Sequence, residues 1–138
     1  MALVPEIDEQ VSRDNARDQL KQYRRISRMA GKPLVDIKSP SMDGMPKASA
    51  YDNGVEASLV NKFNARIELA EMERAMACLS YQQYWVLFYS YCTPEPLEIE
   101  EIASRVGLAN EDAVDYVKRG ALMLFAEAFH HGKLLKFP

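Results

Sequence analysis

The chain has 138 residues and a mass of 15.7 kDa, with 48% hydrophobic and 27% charged residues, which suits one domain with a packed core. Its net charge of −3 and pI near 5.4 argue against a nonspecific coat for nucleic acid. No apolar run approaches the roughly 20 residues of a membrane span, and Pro5, Glu6, Asp8 and Glu9 interrupt any secretory leader, so a cytoplasmic protein without membrane contact is expected.

The charge is unevenly placed. Between Arg13 and Lys32 seven bases stand against Asp14 and Asp18, a local +5; between Glu95 and Asp115 seven acids stand against Arg105, a local −6. Cys78 and Cys92 sit in apolar helical text outside any CxxC pair, which predicts buried reduced thiols and no zinc site.

In chain order, residues 6–29 form the first expected helix, with Ile7, Val11, Leu20, Tyr23, Ile26 and Met29 as its apolar stripe and Gly31, Lys32 and Pro33 as its stop. The basic cluster at 24–28 has two readings: cations placed against the helix C-terminus, or a set of phosphate contacts. Residues 33–54 are rich in Pro and Gly and read as a long irregular linker, either functional or flexible, whose two Met residues could anchor it.

A second long helix is expected over residues 55–79, with Leu59, Phe63, Ile67, Ala70, Ala75 and Leu79 facing inward. The aromatic run from Tyr81 to Tyr91 contains no positive charge, so it reads as core rather than as a base-stacking platform. Thr93, Pro94, Glu95 and Pro96 break the chain before a helix, a turn at Gly107 and a second helix capped by Asn110, spanning residues 97–129. That succession is the helix-turn-helix pattern, although two amphipathic helices around a Gly turn occur in many bundles.

Catalytic chemistry is absent from the text. There is no Gly-rich phosphate loop, HExxH or GxSxG, and the adjacent His130 and His131 lack the spacing of helical metal ligands. An enzyme, a metal and a cofactor are all unexpected.

Tyr23, Arg24 and Arg25, then Ser39, Pro40, Ser41, Met42, Asp43, Gly44, Met45, Pro46 and Lys47, then an Asn-bearing helix, resemble the ArpU family of phage and prophage transcriptional regulators. The segment from Arg119 to Phe129 is similar to that family's C-terminal helix, and the likeness extends from about Leu20 to Leu135. The C-terminal half also resembles DNA-reading region 4 of sigma factors, on pattern alone. The expected architecture is an all-α bundle with a basic N-terminal helical arm (1–32), the linker (33–54) and a helical domain (55–138) carrying a sigma-region-4-like helix-turn-helix.

The resemblance implies a sequence-specific, DNA-binding activator of phage late genes, acting on double-stranded DNA with bacterial RNA polymerase in the host cytoplasm. Asn110, Glu111, Val114, Asp115, Tyr116, Lys118 and Arg119 would then form the recognition helix, and Arg17, Lys21, Arg24, Arg25 and Arg28 the phosphate contacts. The acidic start of that helix repels phosphate, though Glu or Asp can accept from cytosine N4. Either the basic first helix supplies most of the affinity, or the motif touches a protein. An adaptor that binds polymerase or a terminase-like packaging component is the alternative. DNA binding predicts that Arg24, Arg25 and Arg28 lie near the recognition helix. Such readers often form homodimers on paired half-sites, yet sigma-like readers need not.

Overall fold

In the computed structural model residues 6–34 and 55–137 are described, and among them every regular element is helical. The motif from Ser39 to Lys47 and nearly all of the expected linker lie outside the described residues. The helices are α1 (Glu9–Lys21), α2 (Tyr23–Ala30), α3 (Val55–Met76), α4 (Tyr81–Leu87), α5 (Ile99–Val106) and α6 (Glu111–Ala128). A π-helical segment, Phe88–Cys92, continues α4, and a short 3-10 turn, Phe129–His131, follows α6.

The N-terminal region departs from expectation in two ways. It is two helices with a break at Gln22, and it is no arm: α1 packs on α6 and α2 packs on α3. Its buried stripe is Ser12, Ala16, Leu20, Tyr23, Ser27 and Ala30, while Val11 and Met29 are exposed. Ser12 is buried because its Oγ accepts from the Lys136 backbone N–H at 2.9 Å, and the Asp8 N–H donates to Lys136 O at 2.8 Å. The C-terminal tail thereby ties down the start of α1, which removes buried polar atoms from any need of water.

α3 meets the core as expected at Ala75 and Leu79 but turns the other way before them. Ala65, Leu69, Met72 and Met76 are also buried, whereas Leu59, Phe63, Ile67 and Ala70, expected inward, are exposed. Cys78 is likewise exposed, and Cys92 is buried with its thiol pushed up to about 12 by that burial.

Local signals explain most helix ends. Ser80 and Gln83 form a capping box at α4, with Gln83 N donating to Ser80 Oγ at 3.4 Å and Ser80 N donating to Gln83 Oε1 at 3.1 Å. Gly107 ends α5 at φ 86°, a left-handed angle that costs glycine little, and the Leu108 N–H returns to Ala103 O at 2.8 Å.

The core divides into two clusters. The larger joins α1, α2 and α3 to Leu87, Tyr91, Cys92 and the C-terminal half of α6 through Ala121, Leu122, Phe125 and Phe129. The smaller joins Val86 and Tyr89 to Ile102 and Ala103 of α5 and Val114 of α6. The α4–π segment and α6 therefore belong to both. Phe125 is fully buried and stacked on Phe129 at 5.5 Å between ring centroids. Phe125→Ala is expected to lower unfolding stability by about 3–5 kcal/mol, whereas Met29→Ala, on the exposed side of α2, changes it by less than about 0.5 kcal/mol; urea titrations of both check the assigned core.

Candidate nucleic-acid interface

α6 begins where the Asn110 side chain accepts from the Ala113 N–H at 2.9 Å, so that amide oxygen is already engaged as a cap. Val114 follows with no exposed surface, packed against α5 and the π segment. Its place among the recognition residues is therefore corrected: a fully buried side chain reaches no base edge. Val114 instead fixes α6 against α5. Glu111, Asp112, Asp115, Tyr116 and Arg119 are exposed, and Lys118 is half-buried.

Beside this face runs α1. Arg13, Arg17 and Lys21 are four residues apart and so share one side of that helix. Its packing on α6 makes a cleft of about 240 Å³ lined by Gln10, Arg13, Arg17, Asp115, Lys118 and Arg119. Lys118 Nζ lies 5.3 Å from the Tyr91 ring centroid in a cation–π contact. Burial, reinforced by the Arg17 charge, pulls the Lys118 ammonium below its ordinary value. Two of the lining cations are partly satisfied within α1: Arg17 pairs with Asp14 at 2.9 Å and Arg13 with Glu9 at 3.6 Å. The Arg17–Asp14 pair lies at the surface and is weak, while Arg13, only 18% exposed, also donates to Gln10 Oε1 at 3.1 Å.

The other expected phosphate contacts lie elsewhere. Arg24 is half-buried and donates from Nε to Thr93 O at 2.6 Å and from Nη2 to Ser90 O at 3.5 Å, closing the carbonyl end of the π segment. Arg25 and Arg28 are exposed on α2, whose main partner is α3. The cations brought to α6 are thus those of α1. Arg13, outside the expected set, carried a legible signal in its four-residue offset from Arg17. Tyr91 carried none, because its role depends on packing between helices distant in sequence.

The first turn of α6, just ahead of the cleft residues, is acidic. A groove of about 560 Å³ between α5 and α6 is lined by Glu100, Ala103, Ser104, Leu108, Ala109, Asn110, Glu111 and Asp112. The hydrogen bond that protonated Glu111 donates to the neighbouring Glu100 carboxylate pushes the Glu111 carboxyl up, and the charges of Glu100, Asp112 and Asp115 act the same way. α6 thus runs from an acidic leading end to a basic flank. Among the described residues no helix is long and apolar enough to cross a membrane.

Comparison with known proteins gives a relative over nearly the full length. The chain is 37% identical over 137 residues, 99% of each sequence, to the Enterococcus hirae protein named "Putative autolysin regulatory protein ArpU". No family model and no solved structure matches the chain.

The acid pair gives a pH signature. Glu111, with its carboxyl raised in the folded state, favours folding while protonated, and that contribution is lost as pH rises through the ordinary carboxylate range and above it. Glu111→Gln is therefore expected to raise the thermal midpoint at pH 7, with the gain shrinking to nothing as pH falls below about 4; melting curves of both proteins across pH check the sign.

Proposed function

The chain belongs to the ArpU family, and from that premise we propose that it is a sequence-specific DNA-binding transcriptional regulator. The observation that carries this reading is the cleft that sets Arg13 and Arg17 of α1 beside Asp115, Lys118 and Arg119 of α6, with the Lys21 charge acting on Lys118. In this reading α5 and α6 act as a helix-turn-helix of the kind found in sigma region 4. The α6 face bearing Asp115, Tyr116 and Arg119 enters the major groove, and the α1 cations hold the flanking phosphates.

The acidic start of α6 limits approach. Glu111 and Asp112 meet phosphate unfavourably, so α6 lies in the groove by its middle and basic flank rather than by its tip. Exposed Asp115 is placed to accept from a cytosine amine, and Tyr116, 74% exposed, to contact a thymine methyl or a sugar. The relative's name supplies a class of target, the control of an autolysin gene. Phage or prophage late genes, lysis genes among them, are the corresponding targets here, with bacterial RNA polymerase as the partner in activation.

A second reading is favoured by the acidic groove and by Arg24, Arg25 and Arg28, which DNA binding required near α6 and which lie on α2, packed on α3. The groove's Glu100, Glu111 and Asp112 suit a basic protein surface, such as one on polymerase or a terminase-like component. The two readings are compatible if α6 binds DNA by one side while the groove binds protein.

Fluorescence anisotropy on DNA upstream of the host's late and lysis genes, against scrambled DNA and over a salt titration, tests the reading. Preference for the native DNA is expected, with affinity falling steeply as salt rises. Arg17→Ala, Lys21→Ala and Arg119→Ala should each weaken binding and lower the salt slope by about one. Arg24→Ala should instead lower thermal stability and leave the slope of the folded protein unchanged. Absence of any preference at every salt concentration would sink DNA reading by this chain alone.

A further inference from the structure

Tyr116 stands on the exposed crest of α6 with a flank on either side. Toward α1 turn Asp115, Lys118 and Arg119, one wall of the charged cleft. Toward α4 turn Val117 and Gly120, which line a second groove of about 340 Å³ together with Tyr116, Ser80, Gln82 and Gln83. α4 approaches closely there, since a Cβ on Gly120 would stand 3.6 Å from Gln83 Nε2. None of the side chains lining this second groove is charged.

The groove is nonetheless rich in hydrogen-bond donors, and the capping box of α4 is the reason. That box engages the acceptor side of both its members: Ser80 Oγ accepts from the Gln83 N–H, and Gln83 Oε1 accepts from the Ser80 N–H. It fixes the two side chains and leaves the Ser80 hydroxyl proton and the Gln83 Nε2 protons without an acceptor among the described residues. Exposed Gln82 and the Tyr116 hydroxyl add further donors at the rim. Such a set suits a ligand that offers acceptors, and the sugar-phosphate backbone of DNA is one.

On the DNA-binding reading, on which this inference rests, we propose that the groove receives the sugar-phosphate backbone of one strand while the α1 cations hold the other. A helix fills the major groove, roughly 12 Å wide, so its two flanks each face one bordering strand. The two grips differ in kind. The α1 side attracts through charge and releases counterions. The α4 side makes neutral hydrogen bonds, which release none and act by fixing the register of α6.

Fluorescence anisotropy on DNA upstream of the late and lysis genes, with salt titrated, separates the two grips. Ser80 and Gln83 hold the start of α4, so the test falls on Gln82, which stands outside the capping box. Gln82→Glu suits the first turn of a helix and should keep its circular dichroism, yet weaken binding by about tenfold at low salt. Gln82→Ala should weaken it by about threefold with the salt slope unchanged. Gln82→Lys should tighten binding and steepen the slope by about one. Met29→Lys, which adds the same charge on the exposed side of α2, should leave the slope near that of the wild type. A wild-type chain with no preference for the native DNA removes the DNA-binding reading and this proposal together. A wild-type chain that prefers it, loses affinity through Arg17→Ala and is indifferent to both charged substitutions at position 82 overturns the proposal alone. So does a Gln82→Lys slope no steeper than that of Met29→Lys.

Discussion

The constraint on which the rest of the structure depends is that one short segment, Tyr81–Cys92, must serve two cores at once. Val86 and Tyr89 face the cluster under α5, while Leu87, Tyr91 and Cys92 face the cluster under α1, α2 and α3. In a regular α-helix residues five apart diverge in azimuth, so Leu87 and Cys92 would not share a side. The π turn closes its hydrogen bonds over five residues and brings them back together. Its terminal carbonyls then lack helical partners in a half-buried place, and Arg24 supplies donors to Ser90 and Thr93. A cation that sequence alone offers to DNA is thus consumed by the geometry of the core. The hydroxyls of Ser90 and Thr93 are satisfied locally, by Val86 O and Glu95 O at 2.7 Å each, so the segment ends without orphaned groups there.

The legible parts of the fold were those where one local signal sufficed. Asn110 and Gly107 mark the ends of α6 and α5 because capping and left-handed backbone angles depend on single residues. α3 defeated a reading by periodicity. Leu59, Phe63 and Ile67 are large and repeat at helical spacing, whereas the true inner face includes the small Ala65, which weighs little on any scale, beside the expected Ala75. Periodicity finds an apolar face but does not say which of two meets the body. The α1–α2 region failed for a related reason: Ser12 and Ser27 belong to the buried stripe yet read as polar, and the break at Gln22 has neither Gly nor Pro to announce it. The tie between Ser12 and Lys136 spans nearly the whole chain and has no local trace.

The candidate interface was partly legible for electrostatic reasons. The sequence is polarised into a basic stretch and an acidic one, but the fold divides each by function. From the basic stretch, the α1 cations join α6, Arg24 is drawn inward, and Lys32 pairs with Glu73 of α3. From the acidic stretch, Glu101 is spent on Arg105 within α5, while Glu100 and Glu111 crowd each other across the turn. Linear charge therefore predicts that a polarised surface exists, and packing decides which residues make it. The likeness to the relative runs over 99% of each sequence, so it extends beyond any single motif.

Two features of this surface bear on each other under the proposed reading. One chain offers few phosphate ligands around α6, chiefly Arg13, Arg17, Lys21 and Arg119, and its carboxylates at the helix start subtract from nonspecific attraction. Affinity from counterion release grows with the number of phosphates neutralised, so a single copy gains little on arbitrary sequence. Under that reading the contacts that read base edges supply the difference, so selectivity rests on the exposed Asp115, Tyr116 and Arg119 rather than on the cations of the cleft.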